Sequence, residues 1–570
     1  MNLKKEIVSE LSKILSLEKE KVFDLLEVPP SKELGDYSFP CFKLSKELKK
    51  DPKQIASEFK EKIDLKKISL INSTETKGPY LNLFLDYSFL AKKLIPEILK
   101  EKEKFGLTSI GKNKKVMIEY SSPNTNKPLH IGHLRNDSIG MSLSHLYSVN
   151  GFNVIKAILI NDRGVHICKS MLAYQKFGER KKPEKKSDHF VGDYYVLFNQ
   201  KAKENPELEK EALELLEKWE KKDKETWLLW KKMNDWSVKG IFETYKKFGS
   251  EFDVIYRESE LFGESKKIIE LGLTKKVFVK DQEQNIVVDL DKFGLGKKVV
   301  LRKDGTAIYL TNDLILTPEK FRKFPLEKSI WVVGSEQNLY FKQLFKSLEL
   351  LGFDWVSKCL HYSYGMVFLP EGKMKSREGT VVDADDLIEE LIELSKKELT
   401  KRNPELKEKE LNFRSEIIGL GAIKFFLLKT DAMKDIYFNP KESISFEGET
   451  SVFIQYAFAR CKSILKKTSK KKKNKKLFEF RDLTEEEKNL ISKLSLFPEK
   501  ISFSFDSLSP HILCHYLLDL TSTFNVFYQN CRVIDEKEKA SDSRIALVES
   551  TSIVLKKGLN LLGIQVLDNM

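Results

Sequence analysis

Paired cysteines, long apolar runs and glycine-rich phosphate loops are what this 570-residue sequence lacks. Its six cysteines (Cys41, Cys168, Cys359, Cys461, Cys514 and Cys531) are scattered without any C-x-x-C pair. That excludes a disulfide framework or a zinc ribbon and suits a reducing, cytoplasmic setting. His166 and Cys168 alone make no ligand set, so no protein-bound structural metal is expected. No apolar run approaches the ~18 residues of a membrane span. The opening MNLKKEIVSELSKIL is charged and amphipathic, with no apolar core of a signal peptide. No Gly-x-Gly-x-x-Gly opens a helix, and Gly294-Leu295-Gly296 reads as a turn, which argues against a dinucleotide oxidoreductase. What the chain does have is charge. Lys and Arg number 99 against 85 Asp and Glu, a net +14 that points to a polyanionic partner.

A chain this long is expected to form two to four domains. Residues 1–108 begin helical, turn at Pro29-Pro30, carry Gly35-Asp36-Tyr37, and end on the alternating strand-like segment Tyr80 to Leu85. From about 109 to 382 strands alternate with helices, with candidate strands at 116–120, 154–160, 329–334 and 361–369. This rhythm implies a doubly wound parallel sheet. A stretch rich in Lys, Glu and Trp, about 175–270, reads as a helical insertion. Residues 383–445 read as a helical connector and 446–570 as an all-helical domain. The lysine-rich KKTSKKKKNKK at 466–476 is low in complexity and cannot pack a core.

One string dominates. After the apolar Val116-Met117-Ile118 comes YSSPNTNKPLHIGHLRN, Tyr120 to Asn136, followed by apolar residues at helical spacing and a second apolar run, Val154 to Ile160. His130 and His133 therefore stand where a strand-to-helix loop becomes a helix. The free N–H groups and positive dipole end there favour an anion such as phosphate. Gly132 leaves room at the backbone, and two imidazoles can donate to phosphate oxygens. Farther on, GKMKSREG, Gly372 to Gly379, is a basic stretch flanked by glycines, suited to neutralising a leaving pyrophosphate.

These two strings together resemble those of class I aminoacyl-tRNA synthetases, and specifically the arginyl-tRNA synthetase family. The likeness runs from the GDYSFP string near residue 35 to Met570. It implies a Rossmann-type catalytic domain, an α+β N-terminal domain that touches tRNA and a C-terminal anticodon-binding domain. It also implies activation of L-arginine by ATP, as its Mg2+ complex, and transfer to the 3′-terminal ribose of tRNA(Arg). A monomer is expected. His130, Gly132, His133, Lys373 and Met374 would hold ATP. Where the class usually has a second lysine this chain has Ser376, and Lys127 stands where family members compensate for it. Lys127, His130, His133 and Lys373 are thus the expected catalytic set. Arginine carries five N–H donors and a permanent charge, so carboxylates and an aromatic face are needed. The resemblance assigns Glu258, Tyr309 and Asp313 to the side chain, Glu119, Asn124 and Gln337 to the backbone groups or nearby substrate, and counts Ser122 among the arginine-binding residues. For tRNA it indicates Asn82, Phe453, Tyr456, Arg460, Tyr528 and Met570. Two rivals are a catalytically silent tRNA-binding paralogue and a small-molecule nucleotidyltransferase. The second would lack the helical RNA domain.

Overall fold

A computed structural model describes residues 3–65, 68–261, 265–305, 308–368, 382–468, 478–534 and 541–570. The N-terminal unit packs helices Leu3–Leu15 and Pro52–Lys62 on a three-stranded antiparallel sheet. Its strands are β1 (Tyr37–Pro40), β2 (Ile71–Lys77) and β3 (Tyr80–Leu85), in the order β1-β3-β2. Asp36 ties the GDYSFP string to the following helix by accepting from Leu85 N at 2.8 Å and from the Tyr87 hydroxyl. Gly35 makes this possible. Its φ of 95° suits glycine, and a Cβ there would sit 2.8 Å from the Leu83 carbonyl oxygen.

The catalytic sheet is built from β4 (Lys115–Glu119), β5 (Asn153–Ile160) and β6 (Val254–Arg257). A separate antiparallel meander follows, β7 (Phe278–Lys280), β8 (Ile286–Asp289) and β9 (Lys297–Leu301). The chain then returns to the main sheet with β10 (Leu326–Gly334) and β11 (Cys359–Tyr364). All four pairings in the order β11-β10-β4-β5-β6 are parallel. The chain runs outward from β4 through β5 to β6, then crosses back to the other side of β4. This reversal opens a crevice beyond the C-terminal ends of β4 and β10, where ligands bind in such sheets.

One expectation about the insertion needs correction. Val254–Arg257 lies inside the stretch 175–270 but is the edge strand β6 of the main sheet. It is four residues long and half-exposed, so it carries no apolar run to mark it. The meander β7–β9, with its own apolar core, was also not foreseen. The insertion proper is helical: Val165–Phe177, Ser187–Glu204, Glu207–Glu220 and Lys224–Phe248. Its tryptophans pack on one another, Trp219 stacking on Trp227 at 5.2 Å.

Two short strands, β12 (Val367–Phe368) and β13 (Ile436–Tyr437), join the sheet to the helical part. Helices Ala384–Arg402 and Glu408–Leu428 form the connector. The C-terminal domain comprises Ser451–Thr468, Glu485–Ser495, Phe497–Asp506, Pro510–Asn530 and Ser541–Leu561. One apolar core runs from the N-terminal unit through the helix Ile131–Val149 into this domain. That helix is consequently buried nearly all round, with Arg135 to Ser144 all inside. No helix among the described residues is long and apolar enough to cross a membrane.

Candidate active site

The loop after β4 is held in an unusual conformation. Ser121 and Ser122 both have positive φ, 78° and 49°, which costs roughly 1–3 kcal/mol per residue for non-glycine side chains. Surrounding contacts enforce it. Asn136 accepts from Ser121 N at 2.7 Å, and Asn161 at the end of β5 donates to Ser122 O at 3.0 Å and to Pro123 O at 2.9 Å. Ser122 and Asn124 are left partly exposed beside the crevice.

His130 and His133 cap the following helix reciprocally. His130 Nδ1 accepts from Gly132 N at 3.1 Å, and His133 Nδ1 accepts from His130 N at 3.1 Å. The missing side chain of Gly132 also serves the cap itself. What stands over it is the His130 ring, 2.9 Å from where a Cβ would lie, so glycine lets that ring fold back onto the helix end. With both Nδ1 atoms accepting, each neutral ring carries its proton on Nε2. Burial holds both rings neutral: His130 is pushed down to about 3, and His133 well below its usual value, with the nearby Lys127 charge adding to each. They are thus neutral rings whose Nε2–H groups are not used by the cap. Lys127 and His130 line a cavity of ≈ 260 Å³ together with His189, Tyr195, Asp383 and Asp386. Lys373 and Met374 lie outside the described residues.

The second half of the site gathers on the helix Tyr309–Lys323. Asn312 donates to Glu258 Oε1 at 2.9 Å, while Glu258 Oε2 is buried with no hydrogen-bond partner among the described residues. The Tyr340 hydroxyl donates to Asp313 Oδ2. Burial raises Glu258 to about 7. Arg163 opposes this, and Asp162 and Asp313 add to it. Burial likewise raises Asp313 to about 6, against the Tyr340 hydrogen bond and Lys320. Tyr309, the first residue of that helix, is largely exposed, and its hydroxyl is pushed up by local burial and by Glu258. Two carboxyls held close to protonation at neutral pH are a hole that wants a cation.

Glu119 is differently placed from the others. It is 5% exposed, and its Oε2 is paired at 2.5 Å with Lys320, itself 0% exposed and lying over the Trp331 ring at 4.9 Å. Its charge is already met. Gln337 is exposed at the end of β10, next to the end of β4. Sequence reading missed Asn312, Lys320 and Tyr340. Only Tyr340 had a local signal, an aromatic one helical turn beyond Gln337.

The RNA-facing expectations separate. Asn82 is 3% exposed and accepts from the Ser38 hydroxyl at 2.7 Å inside the N-terminal sheet, so its side chain has an internal partner and no open face. Phe453 packs half-buried against the main core. Tyr456, Arg460 and Tyr528 come together. The Arg460 guanidinium lies 5.0 Å from the Tyr456 ring and 4.9 Å from the Tyr528 ring, and donates to Asn525 at 2.9 Å. Met570 packs half-buried at the end of a tail held by Gln455, which donates to Gln565 O at 2.8 Å, and by Lys424, which donates to Gly563 O at 2.9 Å. Asp188, His189 and Asp385 bring side-chain ligand atoms within 4.8 Å of one another. Lys186 Nζ already lies 2.8 Å from both aspartates, so an ammonium meets their charge.

Comparison with known proteins agrees along the whole chain. Residues 94–440 match the model of the class I tRNA synthetase (R) catalytic domain, 454–570 that of the DALR anticodon binding domain, and 1–85 that of the arginyl tRNA synthetase N terminal domain. The arginine–tRNA ligase of Treponema denticola is 45% identical over 560 residues, covering 96% of this chain and 94% of that one. That of Bacteroides thetaiotaomicron is 42% identical over 93% of this chain and 92% of its own. The solved arginyl-tRNA synthetase of Thermus thermophilus superposes with a TM-score of 0.82 at 26% identity, covering both chains completely.

Proposed function

The chain belongs to the arginyl-tRNA synthetase family and is an arginine–tRNA ligase, and from that premise we propose how its residues divide the work. Glu258 and Asp313 bind the guanidinium, with Tyr309 at the mouth. The orphaned buried Glu258 Oε2, on a carboxyl that Asp313 also acts on, carries this assignment, because a cationic donor would both hydrogen-bond it and offset its burial. Asn312 and Tyr340 keep the two carboxylates aimed. Ser122, Asn124 and Gln337, around the crevice, take the amino and carboxylate ends. Glu119, neutralised by Lys320, shapes the floor.

The arginine carboxylate attacks the α-phosphate of ATP, and pyrophosphate leaves. His130 and His133 donate through Nε2 to the phosphates, next to the N-terminus of their helix. Because burial keeps the rings neutral, they act as dipoles and do not change charge during the step. Lys127 supplies the cation that Ser376 cannot. Lys373 and Met374 are assigned to ATP on sequence alone. No general base or covalent enzyme intermediate is needed, since the reactants only have to be positioned and the developing charge stabilised. ATP enters as its Mg2+ complex, with no resident protein metal. The adenylate then passes to the tRNA(Arg) terminal 2′-hydroxyl. The Tyr456–Arg460–Tyr528 cluster offers stacking faces and a cation for unstacked anticodon bases, and Met570 lies at the end of the tail in the same domain. The enzyme is assigned to the cytoplasm as a monomer.

Arginine-dependent ATP–pyrophosphate exchange in the presence of tRNA tests the activity. Charging of tRNA across the twenty amino acids tests the specificity. Exchange that needs no amino acid would refute the reading in favour of a nucleotidyltransferase, and tRNA binding without any exchange would refute it in favour of a silent paralogue.

A further inference from the structure

Arg135 stands two residues beyond His133 and takes no part in the contacts above. It is 0% exposed, and the nearby Asp435 and Asp431 favour its charge without a salt bridge to it among the described residues. Instead Nη1 donates to Gly365 O at 2.6 Å and Met366 O at 3.1 Å, and Nη2 donates to Ala432 O at 3.1 Å and Lys434 O at 2.8 Å. A buried cation is costly unless hydrogen-bonded. Four carbonyl dipoles meet it here, and only a planar fork reaches all four, which a lysine ammonium cannot do.

Those carbonyls come from two loops that are distant in sequence. The first leads into β12 and the second into β13, and the two strands pair. Their junction is tight. Gly365 N donates to Ala432 O at 2.8 Å, Asp435 Oδ1 accepts from Met366 N at 2.6 Å, and a Cβ on Gly365 would fall 2.6 Å from the Lys434 carbonyl carbon. The chain is referenced to the same helix again at 382–384. There Ile131 N donates to Val382 O at 3.3 Å and Ala384 N donates to Leu129 O at 3.0 Å. Both anchors flank the stretch of sequence that contains GKMKSREG, and both converge on the helix that begins at His130.

We propose that Arg135 is a positioning residue for adenylate formation, fixing the chain directly ahead of GKMKSREG to the helix whose first turn carries His130 and His133. The inference rests on the reading of the site as one that activates arginine. It requires that the register between the two signature strings limits the chemical step, while the guanidinium pocket on the helix Tyr309–Lys323 is independent of it.

The test uses the full chain in arginine- and tRNA-dependent ATP–pyrophosphate exchange, with thermal unfolding alongside. Arg135→Lys keeps the charge and loses the fork. Asp435→Ala, on an exposed side chain, loosens the same junction from the other side and leaves the buried cation in place. The expected result is a kcat lowered at least tenfold in Arg135→Lys and severalfold in Asp435→Ala, with KM for arginine within twofold of wild type. Wild-type kcat in Asp435→Ala together with wild-type kcat in a folded Arg135→Lys would overturn the proposal. So would equal losses in kcat and arginine affinity, which indicate general loosening. If Arg135→Lys does not fold, Asp435→Ala decides alone. A wild-type protein without arginine-dependent exchange would refute the functional reading instead.

Discussion

Acidifying the medium from about pH 7.5 to about pH 6 is expected to weaken arginine binding roughly fifteenfold. Glu258 and Asp313 are raised to about 7 and about 6, chiefly by burial, and a guanidinium stays charged throughout this range. Only the doubly ionised pocket offers two carboxylates to it. Treated as a pair with those apparent values, about three quarters of the molecules are in that state at pH 7.5 and about one in twenty at pH 6. The ratio is the predicted loss of affinity. The same reasoning fixes a proton count: near pH 6.5 the empty pocket holds about one proton that arginine displaces. Isothermal titration of arginine in two buffers of different ionisation enthalpy measures both quantities. Asp313→Asn should weaken binding, flatten the profile and leave ATP binding intact. An arginine affinity that is flat between pH 6 and 7.5, with no proton released, would refute the idea that these two acids form the pocket.

The same pocket has a stability signature. A carboxyl whose folded pKa is raised makes the folded state lose stability as pH rises from its unfolded value toward about 7, and the loss persists above that. Glu258→Gln should therefore raise Tm at pH 8 without arginine by about 1–3 °C while raising KM for arginine at least tenfold; an unchanged or lower Tm argues against a strained carboxylate. Lys127→Ala should cut adenylate formation by about a hundredfold with little change in arginine affinity, and near-wild-type exchange would show that Ser376 is compensated elsewhere. Removing Asp568 to Met570 should raise the tRNA KM and leave the arginine and ATP constants in place, because the tail is gripped upstream by Lys424 and Gln455. An unaltered tRNA KM would mark those residues as a stub.

How far the sequence reaches depends on the distance over which each signal acts. The strand Lys115–Glu119, the turn, the helix beginning at Ile131 and the strand Asn153–Ile160 were legible because hydrophobic periodicity and capping residues act over a few positions. The location of His130 and His133 at a helix start followed from that alone, as did the parallel alternation of the catalytic region. The edge strand Val254–Arg257 escaped because four half-exposed residues have no period to read.

The state of each functional side chain was decided only by tertiary contacts. Glu119 reads as an acidic residue at a strand end, and only the fold sets Lys320, 201 residues away, against it. Asn82 is one polar residue in an alternating strand, and only the fold shows that the Ser38 hydroxyl meets it inside the sheet. The orphaned oxygen of Glu258 is visible only once Asn312, 54 residues on, has claimed its twin. Arg135 reads as an ordinary helical arginine, and the carbonyls that hold it lie 230 to 299 residues downstream. Motif spacing records which residues share a local frame. Desolvation and pairing depend on the folded neighbours, and those set whether a carboxylate is satisfied, protonated or waiting for a cation.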